Sequence, residues 1–157
     1  FPPTADQVKA IEAIKEHLCE FHKLCVPDEA AANAWIAGMT PAGRPDEHLA
    51  DTSGYAVGGV CGQCRSNGGT LCPLMYFTAH LQIHQSYWHS SEQELWGLRQ
   101  LKRAKVIQLG RIPEINHTDH ATLARLETMD LSRIKPEHYR WHMEITGDGS
   151  ILLHRPW

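Results

Sequence analysis

Ala50-Asp51-Thr52-Ser53-Gly54-Tyr55-Ala56-Val57-Gly58-Gly59-Val60 is the stretch on which the fold of this chain turns. An aspartate closes a short strand-like run, Ser53-Gly54 turns the chain, and a second run, Tyr55 to Cys64, carries small residues suited to close backbone packing. Two later stretches follow the same plan. Ser91-Glu92-Gln93-Glu94-Leu95 opens a helix-like run, and His117-Thr118-Asp119-His120 closes a strand-like one. Carboxylates at strand ends and in a helix's first turn can converge on one point and hold hard divalent cations through oxygen.

Outward from these stretches the pattern is regular. Thr4 and Gln7 form a capping box, and Val8, Ile11, Ile14, Leu18 and Phe21 recur at helical spacing to about residue 23. Asp28 caps a second, alanine-rich helix from Glu29 to about Met39. Thr40 to Pro45 reads as a loop and as the domain boundary, with residues 1–45 a helical connecting segment and 46–157 the main domain. Strands are expected at His48–Asp51, Tyr55–Cys64 and Thr70–Phe77, with a turn at Ser66–Gly69; the first two are either separate strands or one bent arm. Ser90 or Ser91 caps a long helix to about Lys105, with Leu95, Leu98 and Leu101 as its buried stripe, and Gly110 ends it. A strand Pro113–Thr118, a short helix Thr122–Leu126, a helix from Pro136 to about Ile145 and a strand Ser150–His154 complete the order. Strands first, then helix–strand–helix–strand, favours an α/β mixed sheet with helices on its faces.

A chain of 157 residues, 42% hydrophobic and 21% charged, suits one domain with an appendage. No apolar run approaches the roughly 18 residues of a membrane span. Opening at Phe1 rather than methionine, the chain is expected to be a piece of a longer polypeptide. The net charge of −3 argues mildly against a nucleic-acid partner. Yet residues 91–157 carry ten Lys/Arg against nine Asp/Glu, and Arg99, Lys102, Arg103, Lys105 and Arg111 form either a phosphate-contacting patch or a solvated helix face. Five cysteines, an odd number, fit a reducing intracellular compartment, cytoplasmic or nuclear. Cys61 and Cys64 are spaced as in zinc knuckles, but on a strand residues three apart face opposite ways. His80 and His84, four apart, would chelate a metal from a helix, yet nothing else completes that site.

Geometry also chooses between the two glutamates. Glu92 and Glu94 lie about 200° apart around a helix, and Glu94 shares the side of Leu95 and Leu98.

In order and spacing these motifs resemble the ribonuclease H domain of reverse transcriptases from LTR retrotransposons, the gypsy type especially. Asp51-Thr52-Ser53-Gly54, with Gly58-Gly59-Val60-Cys61-Gly62-Gln63 after it, is similar to the family's Asp-Ala-Ser-x-x-Gly and Gly-Gly-Val-x-x-Gln. Trp88 to Leu95 resembles its Tyr, Ser/Thr, Glu-x-Glu-Leu motif, with Trp88 where tyrosine is usual. Thr118-Asp119-His120 and Leu123 match Thr-Asp-His-x-x-Leu, at the family's spacing from Glu94 (119 − 94 = 25 residues). Pro73 to Thr78, Arg140-Trp141 and Ile151 to Pro156 extend the likeness over roughly residues 46–157.

The resemblance implies a ribonuclease H-like mixed five-stranded sheet of order 3-2-1-4-5 flanked by helices. It implies Asp51, Glu94 and Asp119 as catalytic metal ligands for Mg²⁺ or Mn²⁺, two ions of which activate water and stabilise a leaving oxygen. The implied activity is hydrolysis of the RNA strand of an RNA/DNA hybrid, with Arg99, Lys102, Arg103 and Lys105 on the DNA strand. The implied partners are that hybrid and the rest of a reverse transcriptase polyprotein, in a possible larger assembly away from membranes. The family's fourth carboxylate stands on a C-terminal helix beyond the last strand, whereas this sequence stops at Trp157 and Asp148 is a poor substitute. Impaired catalysis is therefore expected of this piece, and the alternative is a retroelement-derived module that has become a structural or binding subunit.

Overall fold

The computed structural model describes residues 2–21, 24–39, 43–66, 69–130, 132 and 134–156. Expectations that fall on Phe1, the side chains of Leu18 and Phe21, residues 40–42, residues 67–68 and Trp157 lie outside the described residues.

Five strands form one mixed sheet: β1 (Asp46–Thr52), β2 (Ala56–Cys64), β3 (Leu71–His80), β4 (Glu114–Thr118) and β5 (Ile151–His154). Their order is β3-β2-β1-β4-β5, as the resemblance implied. β2 pairs antiparallel with both β1 and β3, and β4 pairs in parallel with both β1 and β5. β1 and β2 are separate strands. The Ser53 hydroxyl oxygen accepts from the Tyr55 and Ala56 amides at 3.3 and 3.1 Å, so a short polar side chain supplies the turn's hydrogen bonds. Pro73 cannot donate to a ladder and lies on the edge strand β3, beside a register shift opposite Cys61 and Gly62.

Helix α3 (Ser90–Leu109) crosses one face of the sheet. Its cap is His89, not a serine: His89 Nδ1 accepts from Ser91 N at 3.3 Å, and His89 N donates to the Glu92 carboxylate at 3.0 Å. Leu95, Leu98 and Leu101 are fully buried with Val57, Cys61 and Ile145, each worth about 1.5–3 kcal/mol on removal from water. Gly97 lets the helix come down onto the hairpin, because a Cβ there would meet Thr52 Oγ1 and Val57 Cγ2 at 2.7 Å. Gly110 ends the helix at φ +86°.

Two members of the expected basic patch are corrected by burial. Lys102 is 6% and Lys105 0% exposed. Residues 98, 101, 102 and 105 share one helical stripe, so both lysines follow the leucines inward. Lys102 Nζ reaches Glu114 (2.9 Å), Asp148 (2.8 Å), the Ser150 hydroxyl (2.9 Å) and Ile145 O (2.5 Å). Lys105 Nζ reaches Glu114 (3.1 Å), Asp46 (3.4 Å) and Ile112 O (2.6 Å). Neither is free for phosphate.

A 3-10 helix, Leu123–Thr128, replaces the short helix expected after β4. Helix α4 (Pro136–Thr146) starts on Pro136 and packs against α3 through buried Trp141 and Ile145. Arg99 lies 5.6 Å from the Trp141 ring centroid and is bidentate to Glu144 at 2.6 and 3.0 Å; Arg103 joins the same carboxylate at 2.9 Å.

The first two helices of the chain, αN1 (Ala5–Phe21) and αN2 (Glu29–Ile36), precede β1. αN1 has its capping box, Thr4 N to Gln7 Oε1 at 2.9 Å and Gln7 N to Thr4 Oγ1 at 3.3 Å. Its apolar stripe is open: Val8, Ile11 and Ile14 are 43, 45 and 58% exposed. αN2 is docked. Asp28 caps it by accepting from Ala31 N at 3.0 Å and pairs with Arg44 at 2.5 Å. The Gln63 amide of β2 accepts from Asp28 N at 2.9 Å and donates to the Asp28 and Arg44 carbonyls at 3.1 Å.

Candidate metal centre at the carboxyl end of the sheet

Glu94 sits in the second turn of α3, on the helix side that Leu95 and Leu98 bury, and is itself only 5% exposed. β4 ends directly opposite. Glu94 Oε1 accepts from the Thr118 hydroxyl, in a very short contact, and from Asp119 N at 3.2 Å. His120 Nδ1 stands 2.9 Å from Glu94 Oε2 and 2.8 Å from Asp119 Oδ1. Both neighbours are acceptors, so Nδ1 carries the proton. His120 Nε2 faces Ser90 Oγ at 3.2 Å. One ligand atom from each of Glu94, Asp119 and His120 lies within 4.8 Å of the others, the one such group among the described residues.

The electrostatics are those of a crowded acidic site. Burial, then the Asp119 carboxylate, push Glu94 above the ordinary glutamate range. Asp119, at the rim, is held below the ordinary aspartate range by its hydrogen bond with Glu94 and then by His120. Burial works against charge on His120, but the hydrogen bond to Asp119 and the charge of Glu94 outweigh it and raise its pKa. Two acids and an imidazole that share protons at this distance suit a hard cation, which would displace the Nδ1 proton.

Asp51 departs from the expected convergence. Successive strand side chains alternate faces, and Thr52 is the one that meets α3 at Gly97. Asp51 therefore looks to the other face, where it lines a shallow depression with Leu49, Gly58, Val60 and Tyr76. It is outside the Glu94–Asp119–His120 group. Its backbone is nonetheless level with the group: β1 and β4 pair Leu49 with His117, so Asp51 and Asp119 each stand two residues beyond that rung on adjacent strands.

Glu94 and Asp119 are two of the three expected acids, and His120 joins them as a ligand the motifs alone do not single out. Its signal was the Thr118-Asp119-His120 run itself, in which a strand end turns three polar groups toward one helix. The zinc alternative finds no support among the described residues. Cys61 is buried against α3, while Cys64 faces Glu47 at 3.5 Å, and His80 and His84 sit at a strand end and in the loop after it.

Residues 48–147, well over half of the chain, match the family described as the RNase H-like domain found in reverse transcriptase. The chain belongs to that family. Among solved structures this RNase H-like domain is similar to the foamy viral protease-reverse transcriptase dRH in complex with double-stranded DNA, with TM-score 0.65 and 13% identity over 98% of this chain and 26% of that one. The foamy viral protease-reverse transcriptase in complex with an RNA/DNA hybrid gives TM-score 0.59 and 13% identity over 98% of this chain and 19% of that one. RNase H1 from the halophilic archaeon Halobacterium salinarum gives TM-score 0.50 and 15% identity over 71% of this chain and 85% of that one. The domain thus spans about a quarter or less of the viral proteins it is similar to. No curated protein matches the sequence.

Proposed function

We propose that this domain is a divalent-metal-dependent endonuclease that hydrolyses the RNA strand of RNA/DNA hybrids, acting inside the cell as part of a gypsy-type retroelement reverse transcriptase. The observation that carries the reading is the meeting of Glu94, Asp119 and His120 at the carboxyl end of β4, where ligands of open α/β sheets collect. Solved relatives bound to a hybrid and to duplex DNA lend it support. Residues 46–157 are the nuclease unit, and residues 1–45 connect it to the preceding part of the polyprotein.

Glu94 and Asp119 would hold Mg²⁺ or Mn²⁺, with His120 beside them and Asp51 offering a further acid from the adjacent strand end. A metal held there would supply an activated water and stabilise the departing 3′ oxygen. Thr118 fixes the Glu94 carboxylate by donating to Oε1. Recognition of the RNA strand rests on its 2′-hydroxyls. Arg99 and Arg103 exchange Glu144 for phosphates of the DNA strand. A labelled hybrid incubated with the protein and Mg²⁺ or Mn²⁺ tests this: cutting confined to the RNA strand and abolished by Glu94→Gln is expected, and an uncut hybrid at either metal overturns it.

A second reading is favoured by one observation. Glu94 already takes three internal hydrogen bonds within a group that Asp51 does not join. On that reading the domain is a catalytically impaired structural or binding module. It then binds Mn²⁺ weakly and leaves the hybrid intact.

A further inference from the structure

Three cysteines, Cys25, Cys64 and Cys72, line one pocket at the far end of the sheet, with Arg44 and Arg65. Cys64 is turned away to Glu47, and burial followed by that carboxylate raises its thiol. The other two share a partner. Arg65 Nε lies 3.1 Å from Cys72 Sγ, and its Nη2 lies 3.3 Å from Cys25 Sγ. These donors belong to one planar guanidinium, the fork that elsewhere takes the two oxygens of a carboxylate, so both sulfurs are gathered at a single group. The backbone fixes the approach as well, since Cys25 N donates to Pro73 O at 2.7 Å, next to Cys72. Both thiols are half-buried and within reach of solvent. Hydrogen bonding from Arg65 lowers Cys25 below the ordinary thiol range, which favours the nucleophilic thiolate.

We propose that Cys25 and Cys72 are a redox-active dithiol that closes reversibly to a disulfide when the chain meets a peroxide, clamping the segment before αN2 to the edge strand β3. The Cys25 thiolate attacks one peroxide oxygen, the O–O bond breaks, and the departing hydroxide is protonated to water, leaving a sulfenic acid. Cys72 Sγ then attacks that sulfur; the S–S bond forms, the S–O bond breaks, and hydroxide leaves with the Cys72 proton as a second water. Two electrons pass from the two thiols to one peroxide, and a thiol reductant reverses the step. Arg65 stabilises the attacking thiolate. Cys64 takes no part.

The intact chain treated with hydrogen peroxide tests this. Thiols titrated after the treated chain is unfolded in guanidinium are expected to fall from five to three, with dithiothreitol restoring all five. Mass spectrometry of the digest should place the link between residues 25 and 72. Cys64→Ser should still lose two thiols, and Cys72→Ser should stop at a sulfenic acid on Cys25 that dimedone traps. Arg65→Gln should slow alkylation of Cys25 by iodoacetamide at pH 7.5 by roughly three-fold or more, the loss in thiolate expected when a neighbouring cation goes. A link through Cys64, oxidation beyond the sulfenic acid without a link, or an alkylation rate indifferent to Arg65 would overturn the proposal. The wild-type thiol count needs no variant to fold.

Discussion

Gly97 of α3 lies directly against Thr52 of β1: a Cβ built at Gly97 falls 2.7 Å from Thr52 Oγ1 and 2.7 Å from Val57 Cγ2. This contact sets how low the helix rides and therefore where Glu94, three residues earlier, meets β4. Gly97→Ala gains about 1 kcal/mol of helix propensity, but overpacking a full interface costs about 1–3 kcal/mol. Net destabilisation of about 1–2 kcal/mol is expected, read as a lower urea midpoint, because the helix must lift. An equal lift at Glu94 should weaken Mn²⁺ binding in the same variant. A midpoint at or above wild type would show that the helix seats without this contact.

The buried lysines make a sharper stability prediction. Lys105 is fully buried and is the cation that faces Asp46, whose carboxyl burial raises above the usual range, while Lys105 and Lys102 together face Glu114. Lys105→Leu preserves the volume but leaves these acids short of a cation in a dry interior, which costs about 3–5 kcal/mol. Chemical denaturation measures it. Arg103→Leu on the exposed face of the same helix, with one ion pair to Glu144, should cost under about 1 kcal/mol. Similar losses for the two variants would refute the distinction.

These lysines also mark the limit of what the sequence made legible. The alternation of strands and helices follows from periodicity and turn chemistry, the sheet order from the family resemblance, and the Glu94–Asp119 meeting from motif position and spacing; the structure has all three. Lys102 and Lys105 stood at positions 98 + 4 and 98 + 7, on the leucine stripe, yet their charge argued for the surface. Their acids, Asp46 on β1 and Glu114 on β4, come from strands 68 residues apart (114 − 46), and no local pattern links them. Asp51 lies outside the Glu94–Asp119–His120 group, and its side of the strand was hard to read for a different reason. Strand parity turns on a single residue, and sequence alone did not decide whether Asp51 or Thr52 faces the helix.

His48 predicts an acid-side loss of stability. It is fully buried, and burial lowers its pKa from 6.5 to about 4, with Glu114 opposing and Lys105 and Lys102 reinforcing the fall. Its Nδ1 bonds Asn116 at 3.1 Å, and Glu114 lies 3.8 Å away. A depressed histidine favours the neutral form in the fold. Its contribution is therefore complete above pH 6.5 and is lost as pH falls from 6.5 through about 4, by up to about 3 kcal/mol. Urea unfolding at a series of pH values should show this slope, and His48→Gln should flatten it. An unchanged slope would assign the acid sensitivity to the carboxylates instead.

Asp51 and Asp119 separate the two functional readings. Asp119 already lies in the group with Glu94 and His120, so Asp119→Asn should weaken Mn²⁺ binding on either reading, by at least about ten-fold, or 1.4 kcal/mol. Asp51 is exposed, and Asp51→Asn should leave the metal-free protein within about 0.5 kcal/mol of wild type. Its effect with metal carries the information. A nuclease requires the β1 acid to turn to the cation at the level it shares with Asp119, so Asp51→Asn should also lose about ten-fold in Mn²⁺ affinity by calorimetry. It should abolish cleavage of the hybrid as well. If Asp51→Asn binds Mn²⁺ as wild type does, the carboxylate stays over the Tyr76 depression, the site keeps only two acids, and the structural reading prevails.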